Sequence, residues 1–146
     1  MQSKMLYLSS CISYYYKNNE MYKATEWRRK LIKQLQYDIE IKDNQCWLWF
    51  DPTHNFEENY HSVGSKTILS QNNFYLDRAD ILIVDLANLS KSPGTIYEII
   101  YFGLKDKPVI AFNYDDMAKS PHISNFIDCI LKEEDIMDYL NAMYYQ

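Results

Sequence analysis

Apolar and polar positions alternate between two periods along this chain. Residues 4–9 (Lys4-Met5-Leu6-Tyr7-Leu8-Ser9) form a short apolar run that reads as a first strand, followed by a polar turn over 10–19. Over residues 20–36 the apolar positions Trp27, Leu31, Ile32 and Leu35 recur at helical spacing, which predicts an amphipathic helix. A second strand is expected at 45–50, stopped by Asp51-Pro52-Thr53, and 54–64 has no period and reads as a long loop. A helix is predicted over 66–78. Ile81-Leu82-Ile83-Val84, bracketed by Asp80 and Asp85, is continuous and rich in β-branched residues, as a parallel strand buried on both faces should be. The loop Ser90-Lys91-Ser92-Pro93-Gly94-Thr95 then opens a helix that stops near Gly103. A fourth strand is expected at 107–112, a short helical piece after Pro121 and a brief strand at 128–130. A last helix starts in the acidic turn Glu133-Glu134-Asp135.

Repeated strand–helix–strand units require right-handed crossovers and a parallel sheet. The expected fold is therefore α/β, a flavodoxin/Rossmann-like three-layer sandwich with a parallel sheet of about five strands. In such sheets ligands bind at the carboxyl ends of the strands, beside the topological switch point. That directs attention to residues 7–13, 85–98 and 113 onward.

Composition narrows the function. The chain has 146 residues, 47% of them hydrophobic, with only three glycines and four prolines, so a single domain over 1–146 is expected. The formal net charge of −5 makes polymeric nucleic acid an unsuitable partner, while a small nucleotide remains compatible. The local basic cluster Arg28-Arg29-Lys30 reads as a solvated helix face. Cys11, Cys46 and Cys129 are odd in number and widely spaced, which implies neither a disulfide framework nor a zinc site and fits a cytoplasmic location. Leu8-Ser9-Ser10-Cys11 has the look of a lipoprotein cleavage site. Its apolar stretch, residues 5–8, is shorter than the roughly 7–15 residues a signal peptide needs. No run approaches transmembrane length, so no membrane partner is expected. His54, His61 and His122 are scattered, and no metal site is expected. Alternation places Trp47 and Trp49 on one face, as core packing would. One of Tyr14, Tyr15 and Tyr16 is a candidate cover for a bound ring.

The Ser92-Pro93-Gly94-Thr95 loop joins a buried strand to a helix, where free N–H groups and the helix dipole face the site mouth. Gly94 lets a ligand approach the backbone, and Ser92 and Thr95 offer hydroxyls. Glu98 follows in what reads as the first turn, where a carboxylate either complements the dipole or serves chemistry.

Together, Tyr7 on the first strand, the strand from Asp80 to Asp85, the Ser92-Pro93-Gly94-Thr95 loop, Glu98 and Lys107-Pro108-Val109-Ile110 resemble the nucleoside 2-deoxyribosyltransferase family. Its relatives include the 2′-deoxynucleoside 5′-monophosphate N-glycosidases. The resemblance runs from about residue 4 to 140 and is strongest over 80–112. It implies a pentosyl transferase or N-glycoside hydrolase in which Glu98 is the nucleophile, forming a covalent deoxyribosyl intermediate, and Tyr7 positions its carboxylate. It implies no metal and no organic cofactor. The substrate class implied is a small deoxynucleoside or deoxynucleotide. The family aspartate that protonates the leaving base falls on Asn72, which can hydrogen-bond a base but cannot act as an acid. Either another acid, such as Asp77, takes that role, or the base leaves with weaker help, or the alignment differs here, or the chain is a non-catalytic nucleotide-binding protein. Substrate-binding roles fall on Ser10, Ser92, Gly94 and Thr95. A serine at 92 tolerates a 5′-phosphate that a carboxylate would repel. Residues 123–127 resemble the stretch that enters the hydrolase site from a neighbouring subunit, which implies a homodimer or larger homo-oligomer with Ser124 completing the site. The turn Ser10-Cys11-Ile12-Ser13 lacks the arginine and glycines typical of those hydrolases.

Overall fold

The computed structural model describes residues 2–41, 45–53 and 64–145. Five strands form one parallel sheet: β1 (Gln2–Ser9), β2 (Gln45–Phe50), β3 (Ile81–Asp85), β4 (Val109–Phe112) and β5 (Cys129–Leu131). Their order is β2-β1-β3-β4-β5, so the direction of winding reverses between β1 and β3. That gap is the switch point at which a doubly wound sheet leaves a crevice. In register, Tyr7 lies beside Leu82, and Ser9 beside Val84.

The helices are α1 (Ile12–Lys17), α2 (Tyr22–Ile41), α3 (Ser65–Arg78), α4 (Pro93–Leu104), α5 (Pro121–Ser124) and α6 (Ile136–Tyr144). Strand alternation divides the core into two layers. Leu6, Leu8, Ile81, Ile83, Ile110 and Phe112 pack against Trp27, Leu31 and Leu35 of α2 and Met137 and Leu140 of α6. The intervening residues Tyr7, Leu82, Val84, Val109 and Ala111 pack against Leu76 of α3 and Ile99 and Phe102 of α4. This period of two decides which side chains reach the crevice: Tyr7 and Ser9 point to the α3/α4 face, Leu6 and Leu8 away from it. Trp47 is buried in the α2 layer with Trp49 packed on it, so both are core residues.

Three expectations change. Residues 10–19 are not simply a polar turn, because α1 occupies most of them and buries Ile12 and Tyr15. Helix α2 runs five residues past its expected end at Gln36. The basic cluster divides: Arg29 and Lys30 are exposed, but Arg28 is fully buried. The period-free stretch 54–63, with His54 and His61, lies outside the described residues. Among the described residues no helix is long and apolar enough to cross a membrane.

Candidate active site

Helix α4 begins where the sequence changes character after β3. Pro93 occupies its first turn, where the missing N–H costs nothing, and Ser92 caps it. Ser92 Oγ accepts from the Thr95 backbone N–H at 3.3 Å and shares a 2.6 Å hydrogen bond with Thr95 Oγ1. Both hydroxyls are thus fixed by the cap before any ligand arrives. Gly94 is exposed beside them, and a side-chain carbon placed there would meet nothing within 4 Å.

With the helix starting at Pro93, Glu98 is its sixth residue and stands in the second turn, not the first. It is too far from the free N–H groups to serve as a dipole complement. Its side chain instead turns in toward the end of β1. It is 9% exposed, and Ser9 Oγ donates a 2.8 Å hydrogen bond to its Oε1. Tyr7 is fully buried beside it; its hydroxyl borders the carboxylate but has no aligned hydrogen-bond partner among the described residues. Burial raises the Glu98 carboxyl above its usual value, while the adjacent Tyr7 hydroxyl, the bond from Ser9 and the charge of Arg28 pull the other way. Burial, and then the neighbouring carboxylate, push the Tyr7 phenol well above its ordinary range, so it stays a neutral donor.

Glu98 lines a cavity of about 230 Å³ at the switch point. Ile68, Leu69 and Leu76 of α3 form an apolar wall, and Asn72 interrupts it with a buried Oδ1 that has no hydrogen-bond partner among the described residues. Ser10, Ser13 and Tyr14, and Lys91 to Thr95, also line it. Such a site suits a flat apolar ring on one side and a polar group on the other.

No family model matches the sequence, and no curated protein matches it. Solved structures do. A conserved protein from Enterococcus faecalis V583 aligns over 97% of this chain and 99% of its own, with a TM-score of 0.63 and 16% identity. A 2-desoxiribosyltransferase from Leishmania mexicana aligns over the same shares, 97% and 99%, with a TM-score of 0.60 and 16% identity. This chain has the deoxyribosyltransferase fold. At that identity the likeness is one of fold.

Of the residues singled out in the sequence, Glu98, Asn72, Ser10, Ser92, Gly94 and Thr95 line this one cavity, and Tyr7 lies beneath it. Ser124 does not: it is exposed on α5, away from the lining. Asp77 is unsuited as a substitute acid. It sits on the outer surface of α3, where Tyr101 and Lys105 hydrogen-bond its carboxylate and hold it below its usual range. His122 is exposed and outside the cavity. Among the described residues no group of three or more His, Cys, Asp or Glu could hold a metal ion.

Sequence reasoning missed Ser9, Lys91 and Arg28 and left Tyr14 unresolved among three consecutive tyrosines. Ser9 was passed over as the last strand residue, although alternation puts it on the same face as Tyr7. Tyr14 is the one of the three consecutive tyrosines that lines the cavity, whereas the buried Tyr15 hydroxyl accepts from Asn88 Nδ2 at 2.8 Å. Lys91 reaches the cavity from the 3₁₀ turn before Ser92. Arg28 lies behind the site, and its signal was its place with Ala24, Leu31 and Leu35 on the inner face of α2.

Proposed function

We propose that this protein cleaves the N-glycosidic bond of a 2′-deoxyribonucleoside or its 5′-monophosphate and transfers the deoxyribosyl group from Glu98 to another base. One observation carries the reading: a buried carboxylate on the cavity wall, bonded by a serine hydroxyl and beside a buried tyrosine, with no cation paired to it among the described residues. Such a carboxylate is desolvated enough to be nucleophilic and open on the side a sugar would occupy. The deoxyribosyltransferase activity named for the Leishmania mexicana neighbour supports the same reading.

In this mechanism a Glu98 oxygen attacks C1′ from the face opposite the base. The C1′–N bond breaks as the C1′–O bond forms, through an oxocarbenium-like transition state. The bonding pair leaves with the base, which then takes a proton from solvent. Asn72 hydrogen-bonds the base edge without supplying that proton. Tyr7 and Ser9 hold the carboxylate in line. A nitrogen of a second base then attacks C1′, releasing Glu98 as a carboxylate and losing its own proton. The Ser92–Thr95 turn holds the 5′ end.

A second reading is hydrolysis of the 5′-monophosphate, with water replacing the second base. It is favoured by Lys91 at the polar end of the cavity and by the uncharged Ser92, both suited to a phosphate. In that form the assembly is a homodimer, with the partner subunit's Ser124 completing the phosphate site. The test is to incubate the protein with deoxynucleosides and their monophosphates, with and without a second free base, and follow base release and exchange. Exchange supports transfer, and release without exchange supports hydrolysis. Nucleotide binding with neither makes the chain a non-catalytic binding protein and refutes both.

A further inference from the structure

Arg28 is a charged side chain buried in the middle of an otherwise apolar helix face. Such burial is costly unless every donor is used, and here nearly every donor is. Nε and Nη2 donate to Leu8 O at 3.2 and 2.9 Å, and Nη1 donates to Ser10 Oγ at 2.8 Å and to Ala24 O at 2.5 Å. Asp51, just past β2, lies 3.3 Å from Nε. The bonds to Leu8 and Ser10 bracket Ser9, the residue whose hydroxyl donates to Glu98. By donating to Ser10 Oγ, Arg28 also takes up a lone pair there and leaves the Ser10 hydrogen for the cavity that Ser10 lines.

We propose that Arg28 is a positioning residue for this centre. Its guanidinium clamps the end of β1, setting the Ser9 hydroxyl on Glu98 and the Ser10 hydroxyl toward the ligand, and supplies the positive field in which Glu98 works as a carboxylate. The inference rests on Glu98 being the working group. Glu98 faces Tyr7 and Ser9 from β1 and the charge of Arg28 from α2. Arg28 in turn faces Asp51 after β2, Asp85 at the end of β3, Tyr7 and Glu98.

The test is the titration of the Glu98 carboxyl, followed by ¹³C NMR of carboxyl-labelled protein and assigned by its loss in Glu98→Gln. In Arg28→Gln the midpoint rises by about one pH unit or more, since an opposite charge has been removed. In Asp51→Asn the midpoint falls, because Arg28 loses its neutralising partner; asparagine keeps the oxygen that accepts from Thr53. Arg28→Lys keeps the charge but not the fork, so the midpoint stays while kcat falls about tenfold or more. Midpoints within about 0.3 pH unit of wild type in both Arg28→Gln and Asp51→Asn would overturn the proposal. Should Arg28→Gln fail to fold, the half-exposed Asp51→Asn decides alone. No substrate is used in the titration. Shifts of the stated signs in a protein without base release or exchange would therefore end the proposed reaction and leave the Arg28 assignment standing.

Discussion

Glu98→Gln removes one buried charge from the cavity wall and keeps an oxygen to accept from Ser9. The carboxyl, ordinarily near 4.5, is raised in the folded protein, chiefly by burial. A raised folded value means that the native state holds this proton more tightly than the unfolded chain. Stability from this group is therefore complete below about pH 4.5 and is lost as pH rises through the folded value. The loss is about 1.4 kcal/mol for each pH unit by which the value is raised. Glutamine does not ionise and escapes it. For a chain of this size 1 kcal/mol corresponds to about 2–4 °C in Tm. The assay is calorimetric melting of both proteins at pH 5 and pH 8. Glu98→Gln is expected to melt near the wild type at pH 5 and several degrees above it at pH 8, while losing turnover. A variant that loses ground to the wild type as pH rises would refute the reasoning. It would show a carboxylate stabilised on balance by its surroundings, locked in a pair no substrate could open.

Three further outcomes follow from the geometry. Asn72→Asp places an ionisable group where a buried acceptor now has no partner, and turnover is expected to rise, up to about 10²-fold, in steady-state base release. Unchanged turnover would mean that position 72 does not meet the leaving base. Gly94→Ala meets nothing in the protein, so unfolding free energy should stay within about 0.5 kcal/mol while KM rises about tenfold; an unchanged KM would place the ligand elsewhere. Gly103→Ala drives a carbon into the Phe126 ring between α4 and the segment after α5, and chemical denaturation should show a loss of about 1–3 kcal/mol.

The strand–helix alternation was legible because each strand is a short apolar run and each crossover has its own punctuation. Residues 81–84 announce a central strand on their own. Alternation in β1 also contained the division of Leu6 and Leu8 from Tyr7 and Ser9. What local pattern did not carry was side-chain fate set by partners distant in sequence. Arg28 reads as solvated because a charge on a helix usually is; its burial is offset by Leu8 and Ser10 at the end of the first strand and by Asp51 after the second, all distant in sequence. Residues 10–19 read as a polar turn because α1 is short and its tyrosines and serine mask the buried Ile12 and Tyr15. Glu98 was displaced by one turn because the helix start was read at the first apolar residue rather than at Pro93. Asp77 was plausible as an acid until its position on the outer face of α3 gave it Tyr101 and Lys105.

In the proposed reaction Glu98 bonds to the sugar during turnover, and intact-mass spectrometry after rapid acid quench detects that bond. Protein mixed with a deoxynucleoside or its monophosphate should gain one deoxyribosyl or phosphodeoxyribosyl unit, mapped by peptide digestion to Glu98 and absent in Glu98→Gln. Base release at full rate with no such adduct, or with an adduct on any other residue, contradicts the account.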